Sequence, residues 1–268
     1  MFRALAVLFC FTLLATQAAS DTALKRLDTG DDSRGWEAVG KLNIDGRGFC
    51  TGALIAPDIV LTAAHCLYDK ETGARIDHAK IEFLAGFRNG RAAAYRNVRR
   101  AVTHPDYDYT SEVSADRVRN DLALLELHHP IQNGQVMPFE TDRRPRRGQE
   151  IGVVSYGRDR ADAPSLQEVC DVMTRQRGVL IMSCDVNFGS SGAPIFSFET
   201  GEPRVVSVVS AMAVVDGKKV ALGTQLLDPL DDLMAALEAG EGVFQNSAPQ
   251  MTTAGERRDT GAKFLKAQ

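Results

Sequence analysis

The sequence predicts an all-β protein, a barrel or a sandwich, on three observations. Short apolar runs recur along the chain, Gly, Pro and other turn formers separate them, and no alternation of strand and helix patterns occurs. The runs are Ala38 to Ile44, Phe49 to Ile55, Ile59 to Ala63, Lys80 to Phe87, Val98 to His104, Leu122 to Leu127 and Glu150 to Tyr156. They continue with Val179 to Cys184, Pro194 to Phe198, Val205 to Val215 and Lys219 to Leu226. Most have ordinary strand length and are short for a helix. One helical pattern stands near the end, where Leu230, Leu233, Met234 and Leu237 recur at three- and four-residue spacing between Asp228-Pro229 and Gly240.

Both ends read differently from the middle. Arg3 is followed by the apolar run Ala4 to Leu14 and then by Ala18-Ala19-Ser20, so residues 1–20 are expected to be a secretory signal peptide. That run falls well short of the roughly 20 residues that span a bilayer, so no membrane anchor is expected. Residues 21–35 are an N-terminal segment, residues 36–240 the folded domain, and residues 241–268 a polar stretch without period, expected to be a mobile tail. With 44% hydrophobic residues the chain carries enough apolar material for a core, and its net charge of -4 argues against nucleic acid as a partner.

Beyond the leader, with its Cys10, stand Cys50, Cys66, Cys170 and Cys184, an even number in a chain bound for a secreted or periplasmic location. Two disulfides are expected; three pairings are open, and the separations of 16 and 14 residues favour Cys50 with Cys66 and Cys170 with Cys184. No C-x-x-C or H-E-x-x-H occurs, so no metal is expected.

Three stretches carry the chemistry. Leu61-Thr62-Ala63-Ala64-His65-Cys66 is a strand ending in a histidine whose neighbour a disulfide could pin. Asn120-Asp121-Leu122-Ala123-Leu124-Leu125 carries a carboxylate into an apolar strand, and Gly189-Ser190-Ser191-Gly192-Ala193-Pro194 is a glycine-flanked serine turn. Together they make the chain resemble the trypsin-like, chymotrypsin-fold serine proteases, whose triad runs His, Asp, Ser in the same order. The likeness extends from about Trp36 to Leu237 and includes Phe49-Cys50-Thr51-Gly52, Val102-Thr103-His104-Pro105-Asp106-Tyr107, Ser155-Tyr156-Gly157 and Ser210-Ala211-Met212.

The resemblance implies two six-stranded antiparallel β-barrels packed together with a C-terminal helix. It implies a serine endopeptidase acting on a protein or peptide substrate, without a cofactor and as a monomer. His65 would be the general base, Asp121 would orient it, and Ser191 would attack the carbonyl to form an acyl-enzyme. The backbone N–H groups of Gly189 and Ser191 would hold the oxyanion. The runner-up is a catalytically silent binding protein on the same fold. An α/β-hydrolase is disfavoured, because its triad runs in another order.

Two departures from the family pattern matter. Ser190 stands where an aspartate usually pairs with the N-terminal ammonium freed by activating cleavage, so the oxyanion loop is expected to form without an inserted N-terminus. Asp185, six residues before Ser191, falls where trypsin-like enzymes hold arginine or lysine, yet Met212 replaces the glycine that leaves room for such a side chain. With Asp185, Ser210 and Met212 as substrate-binding residues, cleavage after Arg or Lys is one reading and a smaller or apolar preference the other. His78, His104, His128 and His129 lack the context of His65 and are read as non-catalytic. The basic cluster Arg143-Arg144-Pro145-Arg146-Arg147 reads as an exposed loop that, with Arg257-Arg258, an arginine-preferring enzyme would nick.

Overall fold

The computed structural model describes residues 21–112, 114–142 and 145–244. The expected leader, most of the expected tail from residue 245 onward, and Arg143, Arg144, Arg257 and Arg258 lie outside the described residues. Among the described residues thirteen strands and two α-helices follow one another. A short β1 (Lys25–Arg26) precedes β2 (Val39–Ile44), β3 (Gly48–Ala56), β4 (Ile59–Thr62), β5 (Ile81–Ala85), β6 (Ala94–Thr103), the five-residue α1 (Ala115–Arg119) and β7 (Ala123–Leu127). The second half holds β8 (Glu150–Gly157), β9 (Arg160–Gln176), β10 (Val179–Met182), β11 (Pro194–Ser197), β12 (Arg204–Val215), β13 (Lys218–Gln225) and α2 (Leu227–Glu238).

The strands close into two antiparallel barrels. The first runs β2-β3-β4-β7-β6-β5. The second runs β9-β10-β13-β12-β11-β8 and closes through β8 with β9. Leu42, Leu54, Leu61, Phe83 and Leu124 fill the first, while Ile151, Val153, Val172, Met182 and Ile195 fill the second, all fully buried. Closing each sheet on itself pairs strand edges that would otherwise be exposed. The seam between the barrels is aromatic: Phe196 of β11 packs at 5.1 Å from Trp36 and 4.7 Å from Phe139. Helix α2 turns Leu233 and Leu237 inward and lies on β6 and β7.

Three features depart from the sequence reading. Strand β9 is the longest in the chain, yet it carries no apolar run. Its buried residues include the polar Ser165 and Gln167 beside Leu166, and only Cys170 and Val172 alternate with the more exposed Val169 and Asp171. The segment 21–35 belongs to the second barrel: β1 pairs with Leu166 and Ser165 of β9, and Leu27 is buried. The start of the expected tail is docked, with Gly242 O accepting from Ala101 N at 3.0 Å and Phe244 N donating to His78 Nδ1 at 3.2 Å.

Both short-range disulfide pairs form, Cys50 with Cys66 and Cys170 with Cys184. The second joins β9 to the residues leaving β10. Replacing Cys170 and Cys184 together by Ala is expected to cost roughly 3 kcal/mol, the chain-entropy value for a loop of this length. A urea melt of the oxidised protein and the variant would measure it; an unchanged midpoint would mean that this crosslink contributes nothing.

Candidate active site

His65 sits on a single 3-10 turn, Ala64–Leu67, that follows β4. Its neighbour Cys66 is tied to Cys50 of β3, so one covalent link fixes the turn against the barrel wall. Asp121 leaves the end of α1 at the start of β7 and is buried, with only 4% of its side chain exposed. Its Oδ1 accepts from the backbone N of His65 at 2.8 Å, and its Oδ2 lies 2.7 Å from His65 Nδ1. Ser210 Oγ of β12 donates to the same Oδ2. The peptide around Asp121 is clamped in turn by Thr224 Oγ1 of β13, which donates to Val118 O at 2.6 Å and Asp121 O at 3.3 Å.

A carboxylate can only accept, so Nδ1 carries the proton of that bond, while Nε2 lies 4.0 Å from Cys66 Sγ. His65, Asp121, Ser191, Ser210 and Met212 line one cavity of about 520 Å³. Among the described residues no hydrogen bond joins Ser191 Oγ to the imidazole. Such bonds are often long in a free enzyme and tighten when substrate binds.

The two adjacent serines have separate surroundings. Ser190 is fully buried: its Oγ accepts from Asn187 N at 3.2 Å and Arg160 Nη2 at 3.5 Å, and it lies 3.1 Å from both Ser155 Oγ and Tyr156 O. Ser191 is half-buried and lines the cavity. The loop's shape depends on two glycines at positive φ. A Cβ on Gly189 (φ 97°) would lie 2.3 Å from the Phe49 ring, and one on Gly192 (φ 78°) would lie 2.1 Å from Thr62 Oγ1 and 2.3 Å from Thr51 O.

Thr51 of β3 ties this loop to the first barrel. Its backbone N donates to Ser191 O at 2.8 Å, and its Oγ1 donates to Gly189 O at 2.8 Å while accepting from Tyr156 N at 3.1 Å. Ser190 N, Gly192 N and Ala193 N are paired with Asn187 O, Val209 O and Ser190 O. The N–H groups of Gly189 and Ser191 take no hydrogen bond among the described residues.

Asp185 is not brought into this cavity. It is exposed and lines an adjoining space of about 540 Å³ with Asp159, Arg160 and Lys219. Val186, Asn187, Phe188 and Met212 border both spaces. Arg160 is nine-tenths buried and donates to Ser155 O at 3.1 Å and Ser155 Oγ at 3.2 Å. Burial pulls its guanidinium below its ordinary value, against the opposing pull of Asp159 and Asp185. The ligand atoms of Cys50, His65 and Cys66 lie within 4.8 Å of one another, but both sulfurs are in the disulfide and supply no thiolate for a metal.

Sequence reasoning assigned Ser210 to the substrate strand and missed its bond to Asp121. It also missed Arg160, and it met Thr51 and Tyr107 only inside landmark motifs. No pattern marks Arg160, because a hairpin arginine is usually solvated.

The chain matches the family model described as Trypsin over residues 29–224. It is 35% identical to "Trypsin" of Phaedon cochleariae over 38% of its own length and 36% of that protein. To "Serine protease 56" of Mus musculus it is 29% identical, covering 57% of the chain and 24% of that protein. To "Glutamyl endopeptidase" of Bacillus licheniformis it is 26% identical, covering 56% and 45%. The chain thus spans between about a quarter and a half of the length of these relatives. A solved structure titled "Structure of Glu endopeptidase in complex with MPD" shares the fold, with a TM-score of 0.66 at 16% identity over 83% of this chain and 99% of that one. Among the described residues no helix is long and apolar enough to cross a membrane. On the family match, and with two closed barrels that agree with it, the chain belongs to the trypsin family of serine proteases.

Proposed function

We propose that the protein is a serine endopeptidase in which His65, Asp121 and Ser191 form the catalytic triad. The observation that carries this reading is the buried carboxylate of Asp121 bonded to His65 Nδ1, in a cavity that Ser191 also lines. His65 Nε2 takes the Ser191 proton as Oγ bonds to the substrate carbonyl carbon; the imidazolium then protonates the leaving amine as the C–N bond breaks. Water repeats the sequence against the Ser191 ester. The free N–H groups of Gly189 and Ser191 receive the carbonyl oxygen as it becomes negative. The two disulfides favour a destination outside the reducing cytosol, periplasmic or secreted.

The oxyanion loop reads as competent without an inserted N-terminus. Ser190 is held by Arg160, Ser155 and Asn187, partners supplied from within the second barrel. Residues added ahead of Asp21 should therefore leave hydrolysis unchanged; activity that appears only after clipping near residues 25–36 would refute this.

The space holding Asp185 is read as the pocket for the side chain before the scissile bond. Asp159 and Asp185 line it, the Arg160 guanidinium is bonded to Ser155, and the exposed Lys219 stands at the same space, so a preference for Arg or Lys rests on the two carboxylates outweighing Lys219. In a peptide panel, Asp185→Asn should lower kcat/KM for Arg and Lys substrates by more than for apolar ones. Rejection of Arg and Lys by the unaltered protein would remove Asp185 from this role.

The triad itself is tested by Asp121→Asn, which leaves His65 Nδ1 facing an amide that can stabilise the wrong tautomer. A fall in kcat of about 10⁴-fold is expected with the fold intact. A fall of less than about tenfold would show that another group orients the imidazole.

A further inference from the structure

The cavity shared by His65 and Ser191 carries two cationic side chains that the catalytic scheme does not use, Lys70 and Arg117. Its one carboxylate, Asp121, already accepts three hydrogen bonds. Lys70 is exposed, whereas Arg117 is held in place. Its guanidinium lies over the Tyr109 ring at 4.9 Å, and its Nη1 donates to Ser111 O at 2.7 Å. Tyr109 stacks on Tyr68 at 4.9 Å with the rings 8° apart, and Arg75 lies over Tyr68 at 5.4 Å. Such a column fixes a cation at little further entropic cost when a ligand arrives.

A third group faces the same space. Tyr107 lines the cavity, is 7% exposed, and has a buried hydroxyl that donates to no acceptor among the described residues, with the Arg117 guanidinium beside it. Burial and the Asp121 carboxylate push the phenol above its ordinary value, against a smaller pull from Arg117, so it remains a donor. A buried donor without an acceptor is destabilising, and a substrate oxygen would relieve it.

We propose that Lys70, Arg117 and Tyr107 form a subsite for a carboxylate on the substrate residue immediately N-terminal to the one whose carbonyl is attacked. This rests on the reading of His65 and Ser191 as the reacting groups and of Ser210 to Met212 as the strand along which the peptide lies. An extended peptide sends successive side chains to opposite faces. If the side chain at the scissile bond enters the space with Asp185, the preceding one turns toward Tyr107 and Arg117. The substrate class is therefore peptides with Glu or Asp at that penultimate position.

The experiment measures binding first and turnover second. Acetylated tetrapeptide amides carry Glu, Gln or Lys at the third residue and an equal mixture of residues at the fourth, and their affinity is measured on the Ser191→Ala protein. The Glu set should bind about tenfold more tightly than the Gln set, as a charge-assisted, partly buried contact allows, and the Lys set weakest. Lys70→Glu combined with Arg117→Glu should invert that order. Tyr107→Phe should reduce the Glu-to-Gln ratio. Arg117→Gln, milder for the fold, should lower the same ratio. Equal affinity across the three sets, or an order that survives the charge reversal, would overturn the subsite. Turnover of the same peptides separates the two readings: a retained Glu preference in binding with no hydrolysis by the unaltered protein would sink the peptidase assignment and leave Lys70, Arg117 and Tyr107 as a carboxylate-binding site of a silent peptide-binding protein.

Discussion

The carboxylate of Asp121 is the point on which the site depends. It is buried between the barrels, where a charge without partners would be costly, and three donors from two separate parts of the chain converge on it. The backbone and ring of His65 come from the turn after β4, and the Ser210 hydroxyl comes from β12. Satisfying that one group fixes the height of the histidine turn, the rotation of its ring and the approach of the second barrel. The same bonds that make the carboxylate tolerable in the interior also determine which imidazole nitrogen faces the cavity.

The proposed reacting groups straddle the seam between the barrels. His65 and Asp121 belong to the first, Ser191 and its loop to the second, and Thr51 crosses between them with three hydrogen bonds. The aromatic packing of Trp36, Phe139 and Phe196 lies along the same seam. Catalytic geometry must hold to within a fraction of an ångström to be effective, so rigid docking of two closed barrels is a condition of function and not merely of stability. Gly189 and Gly192 extend the constraint to the loop, where Phe49 and the Thr51 carbonyl leave no room for a Cβ.

Much of this was legible in the order of residues because it depends on local pattern. Short strands with turn formers between them announced an all-β chain, and most boundaries fell within a few residues of the observed ones. Strand β9 was hidden because several of its buried residues, Arg160, Ser165 and Gln167 among them, are polar. The helix α1 is too short to establish a period. The histidine, aspartate and serine motifs stood out because each is a compact signature. Ser210, Arg160 and the Tyr68–Tyr109–Arg117 column did not, because their roles arise from contacts across 89, 30 and 41 positions of sequence. A hydroxyl bonded to a distant buried carboxylate leaves no trace in its own neighbours.

The most direct test of the account is where a phosphonylating reagent attaches. The fluorophosphonate group forms a bond only to an oxygen whose proton is taken as it attacks, and peptide mapping by mass spectrometry locates the adduct. One adduct per chain on Ser191, absent after His65→Ala, is the result that follows from an imidazole oriented by Asp121. An adduct on Ser190, or none on the folded protein, would contradict it.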